Sequence, residues 1–443
     1  MTYARSLIAR SILLGVAAWS IGHAEEAFAS PEDVLGFGAR SSALAGTGTA
    51  SAEGYEAVYA NPALLPYARD TKLTLGFEGA YFDLRANGEI PSDRLAGSII
   101  GAVLPIPLPG VMKDRITLGV GFFTPFNLVV RGRILYPEVK QFILADRTQS
   151  VAVQAALGVD LSWWNGRHEQ SGLHVGGGFA ALAALRGNVL VGVDGTGRIG
   201  SQVEDTLVAS YAPIVGASMD ITRDLRLGLT FRGELVGRFN VEINVKDLGA
   251  ITVPPLEISG IAQYDPWQIS AELAKVSGPF RAAVSLTYKH WSAYPGPPEA
   301  TVRCPTDPMT GQVEFCDALV PPAPNFHDTA VPRVSAEYTV AARSGVDMRF
   351  RGGYAFEPTP APEQKKEPNL FDEHRSILSI GYGLDLKKPV VAGLSLDSFA
   401  ELQILHGRDH QKDASVPASN PGAPVTSTSG VVVAGGTTLG VAF

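Results

Sequence analysis

The chain has 443 residues, 45% of them apolar and 18% charged, with 48 glycines, 2 cysteines and a formal net charge of −8. No basic face is available to neutralise phosphates, so nucleic acid is excluded as a partner. The length fits two or three domains or one large barrel.

At the N-terminus, Arg5 and Arg10 precede the apolar run Ile12–Trp19, and Ala27-Phe-Ala29 offers a small-x-small cleavage pattern. Residues 1–29 are read as a secretory signal peptide, with Ala24 as the second cleavage choice. No later window holds the ~18 unbroken apolar residues of a membrane helix. An exported soluble protein and a transmembrane barrel both remain open at this point.

Residues 30–70 are rich in Gly, Ala and Ser and end in Asn61-Pro62-Ala63-Leu64. From residue 71 onward, alternation with period two takes over. Between Leu225 and Lys246, Leu225, Leu227, Leu229, Phe231, Leu235 and Phe239 share one parity, and Arg226, Arg232, Glu234, Arg238 and Glu242 share the other. Such a run far exceeds the five or six residues of a soluble strand. One apolar and one charged face is the pattern of a lipid-facing exterior and a wet lumen.

About fourteen such segments are predicted, near 72–85, 95–106, 113–131, 148–164, 171–192, 200–220, 224–247, 265–276, 278–292, 329–342, 344–358, 374–388, 394–408 and 429–443. Short connections at 222–224, 276–279 and 341–345 alternate with long ones at 132–147, 248–264, 293–328, 359–373 and 409–428. Short periplasmic turns and long external loops produce that alternation. The reading is all-β: a transmembrane antiparallel barrel over 71–443, in a bacterial outer membrane. Within 132–147, Val139, Phe142 and Ile143 stand at helical spacing and predict a short surface helix.

Several motifs together resemble the FadL family of outer-membrane transporters for long-chain fatty acids and hydrocarbons. These are Gly38–Gly48 with Asn61-Pro62-Ala63-Leu64, Gly119–Leu128, Tyr288-Lys-His-Trp-Ser292, Val331–Tyr338, Gly352–Pro360 and Leu370–Ser376. The resemblance implies that residues 30–70 form a hatch inside the lumen. The bland alternative is a disordered arm with an incidental turn. Asn61 is expected to bond backbone groups of its turn, and Pro62 to fix the chain direction.

Pro125 falls within the third strand and cannot donate to a ladder. The resemblance implies an inward kink there, a lateral gap for an apolar ligand, and Phe122, Phe123 and Phe126 beside it. The alternative is a loop start with a lipid-facing aromatic girdle. The resemblance further implies passive uptake by a monomer, with a hydrophobic small molecule and outer-membrane lipid as partners and no cofactor. The alternating C-terminal strand ending in Phe443 resembles the signal read by the barrel insertion machinery. A connection after strand five of only a few residues, 194–200, departs from the family, where it is long. A structural or interaction barrel of a secretion or envelope assembly is the rival reading.

Cys304 and Cys316 lie close together in the Pro-rich connection 293–328 of an exported chain, which favours a disulfide over a metal site. Gly195-Thr-Gly-Arg-Ile-Gly200 fits a dinucleotide fingerprint by letter only, since no helix follows it. G-x-S-x-G, H-E-x-x-H and P-loop motifs are absent, so no enzyme is expected. Some lumen arginines (Arg226, Arg232, Arg238, Arg349, Arg351) could meet a carboxylate headgroup, but pairing with Glu234, Glu242 and Asp347 is the cheaper state.

Overall fold

A computed structural model describes residues 32–88, 93–126, 141–146, 151–162, 172–193, 199–246, 256–296, 301–302, 323–342, 345–365, 369–386, 393–413 and 424–443. The signal peptide expected over 1–29, Cys304 and Cys316 with their expected disulfide, and the loop glycines 195–197 lie outside the described residues.

Fourteen strands form one closed antiparallel wall. They are β1 (Lys72–Ala86), β2 (Asp93–Ile106), β3 (Ile116–Pro125), β4 (Ala152–Asp160), β5 (Leu173–Val193), β6 (Ile199–Asp220), β7, β8, β9 (Phe280–Lys289), β10 (Thr329–Ala342), β11 (Val346–Glu357), β12 (Arg375–Leu386), β13 (Leu394–Gln411) and β14 (Val425–Ala442). Two strands are interrupted: β7 runs as β7a (Leu225–Arg232) and β7b (Leu235–Lys246), and β8 as β8a (Leu256–Asp265) and β8b (Gln268–Ser277). Closure is made by β1 against β14, from Lys72–Ala442 to Ala86–Thr428.

The alternation in sequence becomes the two faces of this wall. On β1, Leu73, Leu75 and Phe77 are exposed, whereas Thr74 and Glu78 are buried. Ile380 and Val284 are 67% and 63% exposed, while Glu337, Arg351 and Glu401 on neighbouring strands are buried. A soluble protein places these residues the other way round. The inversion defines a membrane barrel. Among the described residues no helix is long and apolar enough to cross a membrane.

One expectation changes. Strand eight begins at Leu256, not near 265, because Leu256–Asp265 pairs with β7b. The connection after β5 is short, as expected: β5 ends at Val193 and β6 begins at Ile199, and the two pair along their length, from Leu173–Met219 to Val193–Ile199. At ~3.3 Å per residue, the 21 residues of β5 span about 70 Å, well beyond the ~25 Å apolar band of a barrel.

Candidate functional site

The N-terminal segment Glu32–Tyr67 touches the inward faces of many strands around the ring. It comprises α1 (Glu32–Leu35), α2 (Ala39–Ala43), α3 (Ala57–Ala60) and two 3₁₀ turns, Gly54–Glu56 and Pro62–Tyr67. Wall glycines make room for it. A Cβ at Gly101 would overlap Tyr55, one at Gly119 Val58 and Leu65, one at Gly121 Phe37, one at Gly176 Pro62, one at Gly216 Asn61, and one at Gly353 Leu44. Strands β2, β3, β5, β6 and β11 are thus all approached from within.

Asn61 is fully buried and makes three bonds. Its Oδ1 accepts from the Ala63 N–H at 3.0 Å, capping the Pro62–Tyr67 turn. Its Nδ2 donates to the Thr49 carbonyl at 2.6 Å and to the Ala217 carbonyl of β6 at 3.0 Å. Pro62 occupies the first position of the turn, where a missing N–H costs nothing. Ala63 and Leu64 are buried, and Leu64 packs with Val58, Leu65 and Ala156 of β4. The Asn-Pro motif therefore ties the segment both to itself and to the wall.

A second clamp was not legible in the sequence. Glu272 of β8b accepts from the N–H groups of Gly48, Thr49 and Ala50 at 2.7, 3.0 and 3.1 Å, and from Ser51 Oγ at 2.7 Å. A third is Lys289 of β9, fully buried, whose Nζ lies 2.7 Å from Asp33 and 2.6 Å from Glu357. Arg375 reaches the other oxygen of Glu357 at 2.8 Å.

The lumen charges are paired, though with partners other than those expected. Arg226 pairs with Asp220 at 2.7 Å, and Arg351 with Glu337 and Asp397 at 2.6 Å each. Arg349 bridges Asp385 at 2.6 Å and Glu53 of the segment at 2.9 Å. Arg232 stands over the Tyr59 ring at 4.3 Å and donates to the Tyr59 carbonyl. A segment carboxylate, Glu53, thus takes up Arg349, and wall carboxylates take up Arg226 and Arg351, in keeping with the cost of leaving buried charge alone.

Above the segment the external connections fold inward. Gln141–Phe142 pairs in parallel with Leu370–Phe371, and the two phenylalanine rings lie 5.7 Å apart. The helical turn expected on the surface is α4 (Ile143–Asp146), and it is buried: Phe142, Ile143 and Leu144 are all enclosed. Tyr264, Trp291, Tyr294 and Phe326 pack beside it with ring centroids 4.9–6.3 Å apart. Asp328 fixes the Trp291 loop, accepting from Tyr288 Oη and, at 2.9 Å, from the Ser292 N–H.

One contiguous apolar cluster descends from this cap. Phe142, Leu144 and Phe371 share it with Val34, Leu35 and Phe37 of the segment, and with Phe82, Ile99 and Phe123 of β1, β2 and β3. Beside it, a cavity of about 50 Å³ has a mixed lining, with Val34, Leu35 and Phe37 as well as Asp33, Arg232 and Glu401. A volume of that order holds a few waters and no alkyl chain.

On β3, alternation sorts the phenylalanines: Phe123 is fully buried in this cluster, while Phe122 and Phe126 are 37% and 58% exposed. Pro125 stands opposite Gly97, at the end of a β2–β3 ladder without a register shift, and β4 pairs with β3 as far as Phe123. Residues 127–140, where the chain continues, lie outside the description.

Fold and lumen together define a plugged membrane barrel with an apolar column behind an external aromatic cap. That is the FadL-family fold. The chain superposes on a FadL homologue of Pseudomonas aeruginosa (TM-score 0.57, 13% identity, covering 91% of this chain and 97% of that one). It superposes likewise on the Ralstonia pickettii toluene transporter TbuX (0.51, 14%, 93% and 99%) and the Pseudomonas putida toluene transporter TodX (0.52, 15%, 95% and 100%). No protein-family model and no curated protein matches the sequence.

Proposed function

We propose that this barrel carries hydrophobic small molecules, such as long-chain fatty acids or monoaromatic hydrocarbons, passively across a bacterial outer membrane. The observation that supports this most is the buried apolar column joining Phe142 and Phe371 at the cap to Phe37 and Phe123 at the wall, inside a lumen otherwise lined with paired charge. A barrel serving only as an anchor has no need of such a column. The toluene transporters of the same fold add weight.

The driving force is burial of apolar surface, about 0.8 kcal/mol per CH₂, first at the cap and then in lipid. The segment acts as a hatch; the family resemblance implies lateral release at Phe122, Phe123, Pro125 and Phe126, where the β2–β3 ladder runs to Pro125 without a register shift. The rival, an interaction barrel, draws on one fact: the cavity beside the column is small. Uptake of labelled oleate and toluene by cells with and without the protein separates the two. Equal uptake in both cell types removes the transport reading.

A further inference from the structure

The wall holds one place where chain order and strand pairing disagree. β6 pairs with β7a from Asp220–Arg226 up to Ile214–Arg232. There the Gly233 N–H donates to the Pro213 carbonyl at 2.8 Å. Beyond it, among the described residues, no ladder joins β7b to β6. β7b instead runs parallel to β5, Phe239–Lys246 against Leu185–Gly192, although β6 follows β5 in the chain. Two-stranded ribbons twist strongly, and twist in the β5–β6 ribbon presents its β5 edge to β7b. Between the Gly233–Pro213 bond and the Leu185–Phe239 pair, no ladder joins β6 to β7 among the described residues.

The residues at this height fit a break. Pro213 has no N–H to give a neighbouring strand, and Gly233-Glu234 interrupts β7. The adjacent strand is interrupted level with it, at Pro266-Trp267, since Asp265 stands opposite Leu235 and Gln268 opposite Arg232. Leu235 continues the outward parity of Leu229 and Phe231, which are 46% and 39% exposed, yet it is 4% exposed. The strand turns inward there.

The inner lip of the break is apolar. Leu182, Ala212, Ile214 and Leu235 belong to the same buried cluster as Val34, Leu35 and Phe37. The outer lip carries exposed Tyr211 and Val215. Trp267, Phe231 and Tyr288 form an aromatic group close by, with centroids 6.3 and 5.5 Å apart, of the kind that marks a membrane interface. Past the Gly233–Pro213 bond, an alkyl chain or aromatic ring going from column to lipid crosses no ladder between β6 and β7b among the described residues. Through an unbroken pair of strands it would have to part hydrogen bonds in an apolar medium, at several kcal/mol each.

We propose that the apolar ligand leaves the barrel sideways between β6 and β7, just beyond the bonded Pro213–Gly233 pair, and not at strand three. This rests on the transport reading. The test uses the full chain in a Cys304→Ser, Cys316→Ser background, with the cysteine pair Pro213→Cys and Gly233→Cys. A second protein carries the pair Gly97→Cys and Pro125→Cys across strand three. Uptake of labelled oleate and toluene is measured oxidised and after reduction. The expected result is an uptake at least tenfold lower with the 213–233 bridge closed, restored by reduction, and unchanged by the 97–125 bridge. Because both arms use one folded protein, misfolding cannot mimic the result. Ala212→Phe, which narrows the inner lip without a bridge, is expected to lower uptake as well. Full uptake with the 213–233 bridge closed overturns the exit and leaves transport standing. No uptake above empty cells by the unbridged protein overturns both.

Discussion

The ammonium of Lys289 lies 2.7 Å from the Asp33 carboxylate, and neither side chain is more than 3% exposed. The pair joins the first helix of the N-terminal segment to the ninth strand across 256 residues. Glu357 completes it, 2.6 Å from the same nitrogen. Lys289→Met leaves two carboxylates buried with one fewer cation, and removing one partner of a buried pair costs about 3–5 kcal/mol. The expected outcome is release of the segment ahead of barrel unfolding. Limited trypsin digestion of the detergent-solubilised protein checks it: cleavage at Arg40 appears in the variant at conditions where the parent resists.

Asn61 and Gly216 make a second, independent test of docking. Asn61→Ala removes three hydrogen bonds of about 1 kcal/mol each and leaves the carbonyls of Thr49 and Ala217 without that donor. Gly216→Val places a side chain where Asn61 Oδ1 sits. Both are expected to expose the segment to protease while the heat-dependent gel mobility of the barrel stays near that of the parent. A barrel that loses that mobility shift in either variant contradicts the division between plug and wall.

What the sequence disclosed follows from physical range. The faces of β7a, β11 and β12 were readable because alternation is local, and Asn61 because an Asn-Pro turn makes its bonds two residues away. Glu272 was not, since its four donors lie 221–224 residues distant. The Arg349 partner was out of reach for the same reason: Glu53 comes to it from the other end of the chain. Leu256–Asp265, flanked by Pro255 and Pro266, reads as loop, and only pairing with β7b makes it a strand. The inward turn at Leu235 breaks the parity that identified the strand in the first place.

Glu56 gives the docked segment a pH dependence. Burial pushes its carboxyl up to about 8 from 4.5, against the pull of Arg40. The docked state therefore holds a proton that the released state gives up. Docking is strongest below pH 4.5, weakens as pH rises from 4.5 to about 8, and is level above that. Melting of the segment, followed in detergent from pH 4 to 9, is expected to show this slope, and Glu56→Gln to flatten it. A slope of the same size in Glu56→Gln assigns the effect to another group.

The cap makes the last prediction. Phe142 and Phe371 contact each other at 5.7 Å and cover the top of the apolar column. If ligand enters there, each ring offers it apolar area, and burying about 60 Å² less at ~25 cal/mol per Å² costs about 1.5 kcal/mol, close to tenfold in affinity. Phe371→Ser is expected to raise the concentration of toluene needed for half-maximal uptake about tenfold and to leave the maximal rate within twofold. The exit lies lower in the wall, so Ala212→Phe is expected to do the reverse, lowering the maximal rate with little change in half-saturation. Concentration series for the two variants, run on the same cells, separate entry from exit. A loss of maximal rate alone in Phe371→Ser argues that the cap is only structural.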